Sequence, residues 1–372
     1  MLIDKFYLEN WINTHNTDTK YDLSDTCINA LSLKELFQIT NSDFSDIMSK
    51  KLNYGFLYGS DKLLELISGL YEKCGIENLT LTHGGISANQ LALETIINKG
   101  DKVLCIEPSY MQMGSLAKFY GANVQSFYLN KDGTLDIEGL RSIVSNDTKV
   151  ICLTNPNNPM GKEINELNDI INIADKYGCY ILSDEAYRGL SHKENYVTPS
   201  VSDIYENGVS TGSMSKTYSL AGIRLGWIKA DAKIISNINL NRQYNTISMS
   251  ALDEYIAEIA LMHSNKIIER NKNIIFKNKE ILKQFLNNNK NKFSWIEPNC
   301  ASIVCIFYNN NLPSDEYCER LYADKKILVI PAKAFGMDGF FRLGYGMNAD
   351  YLKNALQLLE QNWKIHKRAG NV

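Results

Sequence analysis

Ser213-Met214-Ser215-Lys216, followed by Gly222-Ile223-Arg224-Leu225-Gly226-Trp227, is the stretch on which the reading of this chain turns. It places two hydroxyls, a primary amine and a guanidinium within a dozen residues, between short apolar runs near Val209 and Leu225 that predict strands. Hydroxyls and an arginine suit a phosphate, which a guanidinium can grip with two parallel N–H donors. A lysine held beside them can form an imine with an aldehyde. The competing reading of the same residues is a solvated loop carrying an ordinary surface lysine.

Working outward, short β-rich runs alternate with helical patterns from about Leu79 to Ile228. Leu79–Thr82, Val103–Ile106, Val124–Tyr128, Val150–Leu153 and Tyr180–Leu182 predict strands. Helical spacing over Ile86–Ile97, Asp136–Val144 and Asn165–Tyr177 fills the gaps. Such alternation predicts an α/β fold with a mostly parallel sheet covered by helices. From about Asp231 to Asn289 the pattern is almost entirely helical, predicting a long linking helix. Beyond it, strands (Ile303–Phe307, Ile327–Ile330, Phe340–Leu343) mix with helices (Asp315–Ala323, Ala349–Trp363), an α+β pattern. The expected layout is an N-terminal segment (1–45) packing on the small domain and the active-site mouth, a large domain (46–245) and a small C-terminal domain (246–372).

The bulk numbers agree with this layout. A chain of 372 residues is too long for one small core. With 44% hydrophobic and 22% charged residues it has an ordinary globular composition. A net charge of −3 with scattered basic residues argues against a nucleic-acid or membrane surface. The eight cysteines form no CxxC pair and no Cys/His cluster with metal spacing, which suits a reducing cytoplasm. Neither a hydrophobic leader core nor an apolar run of about 18 residues is present, so a soluble cytoplasmic protein is expected. About 50 residues precede Tyr54 without a basic recognition helix, which argues against a DNA-binding regulator.

Further chemistry sits at the predicted strand ends. In Ser183-Asp184-Glu185-Ala186-Tyr187 a carboxylate lies at the edge of the sheet where α/β folds bind ligands, although an Asp there also serves as a helix N-cap. Asn155-Pro156-Asn157-Asn158-Pro159-Met160-Gly161 has the composition of a strand-to-helix turn. In Thr82-His83-Gly84-Gly85-Ile86-Ser87-Ala88, glycines at a helix start would let a phosphate approach the backbone closely. His83 reads as structural. Glu107-Pro108-Ser109-Tyr110 puts an aromatic ring after a strand. In Phe340-Phe341-Arg342-Leu343-Gly344 a charged residue stands among apolar ones and needs a partner, either a ligand or a structural salt bridge.

S-x-S-K with the downstream G-x-R-x-G resembles the Schiff-base segment of the class I/II aminotransferase family, of fold type I. The other motifs follow in the family's order over about Tyr54 to Arg342. The resemblance implies pyridoxal 5'-phosphate as cofactor, with Lys216 as its imine former and Ser213, Ser215 and Arg224 on its phosphate. D-E-x-Y implies Asp184 at the pyridine nitrogen and Tyr187 at the ring oxygen, so that Lys216, Asp184 and Tyr187 form the catalytic set. An anion beside that nitrogen favours the protonated ring, which draws electrons from a substrate carbanion. N-P-x-N-P-x-G implies Asn158 at the ring oxygen and near the substrate carboxylate, with Met160 where Thr is usual. Gly85 and Ile86 would offer backbone N–H groups to the phosphate, and Tyr110 would stack on the ring. Arg342 would pair with the substrate α-carboxylate. Tyr54 matches a tyrosine that reaches the partner subunit's phosphate, which implies a homodimer with shared active sites; Tyr58 is a nearby competitor. In the segment Ile330 to Gly336, Ala332 stands where the family has Gly.

The implied reaction moves an amino group from an amino acid to a 2-oxo acid by ping-pong steps. The same site chemistry also serves elimination and cyclisation. No G-x-P substrate-binding turn precedes Tyr54, and Glu9-Asn10-Trp11 with Tyr21-Asp22-Leu23-Ser24 resembles the start of capreomycidine synthase-like enzymes, which cyclise a hydroxylated arginine. The D-E-A-Y form and compact length are similar to histidinol-phosphate aminotransferases.

Overall fold

Four apolar runs lie side by side and parallel in the centre of a seven-stranded sheet: Lys102–Glu107, Thr148–Thr154, Tyr180–Asp184 and Gly208–Ser213. The computed structural model describes residues 3–369, so residues 1–2 and 370–372, the ends of the first and last expected divisions, lie outside the described residues. Along the sheet the order is Leu79–Thr82, Gly226–Lys229, Gly208–Ser213, Tyr180–Asp184, Thr148–Thr154, Lys102–Glu107 and Asn123–Tyr128. Only Gly226–Lys229 runs against both its neighbours. Helices cover both faces, which is why the inner strands carry no polar alternation: Leu104, Ile151, Leu153 and Ile181 are all fully buried. Each such side chain contributes about 1.5–3 kcal/mol of hydrophobic stabilisation.

Parallel strands bring their C-terminal ends to one edge. Thr154 pairs with Asp184 and Asp184 with Thr211, so the loops carrying Asn158, Tyr187 and Lys216 all leave from that edge. The antiparallel strand adds a second constraint. Gly226 pairs with both Thr82 and Ser213, and Met214 N–H donates to Leu225 O at 3.0 Å. The loop between Ser213 and Gly226 is thereby folded back over the start of the helix Gly84–Ile96.

A four-stranded antiparallel sheet forms a second layer, in the order Ile330–Pro331, Phe340–Gly344, Ile303–Tyr308, Phe293–Trp295. The helices Ser314–Lys325 and Ala349–Ala369 accompany it. Its core is aromatic: Tyr308 and Tyr317 stack with ring centroids 4.3 Å apart, beside Phe341. The N-terminal helix Tyr7–His15 docks there through Trp11 Nε1, which donates to Val329 O at 2.9 Å. Further on, the helix Leu33–Thr40 turns to the other layer, packing Leu36 and Phe37 with Leu63 and Tyr218.

Two local details go beyond the expectations. The helical stretch after Asp231 holds the expected long helix, Ser264–Asn288, preceded by two shorter ones, Ala232–Arg242 and Ala251–Met262. The Ser250 hydroxyl accepts from Asp253 N–H and starts a new helix after an Asn- and Thr-containing break. The run Ile327–Ile330 is divided between two sheets. Ile327–Leu328 pairs in parallel with Tyr21–Asp22, and Ile330–Pro331 pairs with the strand Phe340–Gly344. Val329 sits between them, its carbonyl taken by Trp11. No helix among the described residues is long and apolar enough to cross a membrane.

Candidate active site

The strand ends, the small layer and the N-terminal segment enclose a cavity of about 520 Å³. Lys216, Asp184, Tyr187, Asn158, Ser213, Ser215, Arg224, Gly85, Ile86, Tyr110 and Arg342 all line it. Tyr54 does not: it is 78% exposed, bridged to Ser250, and faces a separate surface groove. Tyr58 is also absent from the cavity wall, and its hydroxyl accepts from Gln243 at 3.1 Å.

One pole is built for an anion. Gly84 adopts φ +75°, and a Cβ there would fall 2.6 Å from Arg224 Nη2, so only glycine allows the guanidinium so close to the helix N-terminus. Arg224 itself takes φ 49° and is held by donating from Nη1 to Ala221 O at 2.8 Å. Ser213 closes this pole from the strand side, its Cβ 3.6 Å from where a side chain on Gly85 would begin.

The floor holds Asp184. Asn89 Nδ2 donates to its Oδ2 at 2.8 Å and Ala186 N–H to its Oδ1 at 3.0 Å. Asn89 is fixed in turn: its Oδ1 accepts from Thr211 Oγ1 at 2.7 Å, and its amide also reaches Gln112 Oε1 at 3.2 Å. Burial pushes the Asp184 carboxyl above the usual range, with the Asn89 and Ala186 donors acting the other way. Lys216 Nζ lies 3.2 Å from Cys27 Sγ. Burial disfavours its ammonium, but the neighbouring Cys27, Tyr187 and Asp25 outweigh that and leave the amine above its ordinary value. The Tyr110 hydroxyl donates to Glu9 Oε1 at 2.6 Å, and burial and Glu9 together push it up.

At the opposite wall is Arg342, only 1% exposed. Nη1 donates to Asn158 Oδ1 at 3.0 Å and Nη2 to the Ser24 carbonyl at 2.8 Å. Nε has no acceptor among the described residues, and neither partner of the two terminal nitrogens is charged. A buried guanidinium that donates only to neutral acceptors is costly, and a carboxylate at its open Nε edge would offset that cost.

The sequence reading missed Asn89, Gln112 and Thr154, and it placed the N-terminal segment at the site's mouth without naming the residues that line the cavity. Asn89 sits mid-helix, where nothing in a single sequence separates it from a solvated residue. Leu8, Glu9, Ile12, Ser24, Asp25 and Thr26 also line the cavity. Leu8 with Ile12 at i, i+4 and Glu9 with Ile12 at i, i+3 give the local signal that one helix face there points inward.

A sequence profile described as aminotransferase class I and II matches residues 27–359. The chain belongs to this family. The same fold is seen in a pyridoxal-phosphate-dependent aminotransferase from Streptococcus suis 89-1591, 33% identical, with a TM-score of 0.93 and 98% of each chain covered. Capreomycidine synthase from Streptomyces vinaceus is 23% identical, over 97% of this chain and 94% of that protein. Histidinol-phosphate aminotransferase from Methanococcus aeolicus is 30% identical, over 73% and 72%. This aminotransferase is therefore a fold type I enzyme whose cofactor is pyridoxal 5'-phosphate. The cavity fits that group: an anion pole of glycines, hydroxyls and Arg224, a buried carboxylate, and an amine between them. Thr154 Oγ1 and Arg342 Nε are buried at its wall without partners.

Proposed function

We propose that this aminotransferase moves the amino group of a 2-amino acid to a 2-oxo acid in two half-reactions at this one cavity. Bound pyridoxal phosphate would supply an aldehyde that captures the amine and a ring that accepts electrons from the substrate's Cα. Ser213, Ser215, Arg224 and the backbone N–H groups of Gly85 and Ile86 would hold its phosphate. Asp184, steadied by Asn89, would face the ring nitrogen, whose positive charge offsets the burial of the carboxylate. Tyr110 would cover the ring, with Asn158 and Tyr187 at its oxygen. Lys216 would first attach the cofactor; displaced by substrate, its Nζ would take the proton from the substrate's Cα. The fixed position of the carboxylate decides which Cα bond meets that amine.

Arg342 is the observation that carries this reading. It is buried, lacks an ion-pair partner and lines the same cavity as Lys216, as a receptor for an α-carboxylate should. The alignment with capreomycidine synthase over nearly the whole chain supports a second reading, cyclisation of an amino acid by the same residues. Mixing the holoenzyme with single amino acids separates the two. Release of one equivalent of 2-oxo acid, with bleaching of the visible cofactor band and its return on adding a second 2-oxo acid, is the expected result. A cyclic product or ammonia formed with the band retained would replace transamination.

A homodimer completes the proposal. Leu52, Tyr54, Phe56 and Ile247 are exposed apolar or aromatic side chains near the Tyr54 groove, a surface suited to a second copy whose phosphate pole Tyr54 would reach. All eight cysteines are unpaired, which supports a reducing, cytoplasmic setting.

A further inference from the structure

Resting on the assignment of Lys216 above, we infer that Cys27 is a positioning residue for that lysine: its sulfur receives the ε-amine when an incoming amine has displaced it from the cofactor. Lys216 Nζ donates to Cys27 Sγ at 3.2 Å, a contact between residues 189 positions apart. It joins the loop that follows Ser213 to the N-terminal segment, where no G-x-P turn is found. Attached to an aldehyde as an imine, a lysine nitrogen keeps at most one N–H. Released, it carries two, or three as an ammonium, and a buried donor left without an acceptor is costly. A partner waiting for the released amine therefore favours displacement, the step that any substrate amine must first bring about.

Cys27 is fixed where it stands. Its N–H donates to Asp25 Oδ1 at 2.8 Å. On one side the Thr26 carbonyl accepts from Ser302 Oγ at 3.1 Å, and on the other Asn29 N–H donates to the Gly346 carbonyl at 2.8 Å. A Cβ on Gly346 would fall 2.5 Å from the Cys27 carbonyl oxygen, so the backbone here lies hard against the small layer. Three residues earlier, the Ser24 carbonyl accepts from Arg342. One short segment thus touches both the carboxylate receptor and the amine. Sulfur suits the task. Burial pushes the Cys27 thiol up, against the lowering effect of Lys216, so near neutral pH it meets the amine as a thiol. Burial opposes the Lys216 ammonium, while Cys27, Tyr187 and Asp25 favour it. A thiol sulfur is a weak acceptor. It gives Nζ a resting place without adding a full negative charge that would hold the proton on a base that must exchange it.

Methylamine tests this on the holoenzyme, because it displaces the lysine and has no carboxylate to engage Arg342. Its nitrogen bonds to the imine carbon, the bond to Lys216 breaks, and both of its N–H protons pass to the departing amine. Borohydride quenching at fixed pH then divides the cofactor between the peptide containing Lys216 and a free reduced adduct of methylamine. Cys27→Ala should raise the methylamine concentration that frees half of the cofactor about 2- to 10-fold, the share of one hydrogen bond to a neutral acceptor. Cys27→Ser keeps an acceptor on Cβ, and its midpoint should fall between those of wild type and Cys27→Ala. Full labelling of Lys216 without methylamine shows that each variant is folded and loaded. Equal midpoints for wild type and Cys27→Ala, or a Cys27→Ser midpoint no lower than that of Cys27→Ala, would overturn the inference and leave Lys216 as the imine former. A label on another peptide would remove the Lys216 assignment itself. None of these readouts depends on transamination, which the amino acid half-reactions test separately.

Discussion

Replacing Arg342 with glutamine should harm catalysis severely while leaving the fold at least as stable. Two of the five N–H groups of a guanidinium are used here, on Asn158 and the Ser24 carbonyl, and Nε is free. A substrate carboxylate would take two charge-assisted hydrogen bonds worth about 1.5–3 kcal/mol each. Losing about 3–6 kcal/mol, at tenfold per ~1.4 kcal/mol, lowers kcat/KM by roughly 10²- to 10⁴-fold. Stability should move the other way. The free protein keeps a fully buried cation that only neutral acceptors satisfy, a cost that neutral glutamine removes. We expect urea denaturation of the cofactor-free protein to show no loss, and a gain of up to about 1–3 kcal/mol. Stopped-flow half-reactions supply kcat/KM, and the visible cofactor band should persist. A stability loss above ~2 kcal/mol with less than a tenfold catalytic change would make Arg342 a structural residue and refute the reasoning.

Three further outcomes follow from the same geometry. Borohydride reduction of the holoenzyme should fix the cofactor to the peptide containing Lys216, and Lys216→Ala should abolish both the label and the visible band. Gly84→Ala must hold φ +75° and place a methyl 2.6 Å from Arg224 Nη2. A strain of about 1–3 kcal/mol should weaken cofactor affinity by roughly 5- to 100-fold, read by equilibrium dialysis. His192 is held near about 4 by burial, its ring nitrogens 3.0 Å and 2.9 Å from the carbonyls of Pro298 and Ala301. The folded state favours the neutral ring, so stability is intact above the unfolded value of about 6.5 and declines as pH falls toward 4. Relative to His192→Gln, the wild type should lose about 3 kcal/mol over that window in urea titrations.

Much of the cavity wall was legible in the sequence because its chemistry clusters at the ends of strands. Lys216, Arg224, Asp184 and Asn158 each sit in a short motif after an apolar run, and parallel pairing brings such ends to one edge. Asn89 was not legible. It buttresses Asp184 from the middle of a helix, and its partners Asp184 and Thr211 stand 95 and 122 positions away. The cleaved run Ile327–Ile330 was equally hidden, because four apolar residues look the same whether they serve one sheet or two.

The sequence by itself determined the alternation of strands and helices, the family and the residues able to meet a phosphate, an aldehyde and a carboxylate. These are local properties: periodicity, turn chemistry and functional groups at fixed spacing. Only the tertiary structure decided which residues of the N-terminal segment, Leu8, Glu9, Ile12 and Ser24 to Thr26, line the cavity, and that the Arg342 guanidinium donates to neutral acceptors alone among the described residues. Those facts depend on contacts such as Trp11 with Val329 and Ser24 with Arg342, each spanning 318 positions. Contacts so distant are set by packing of whole layers, which no local pattern encodes.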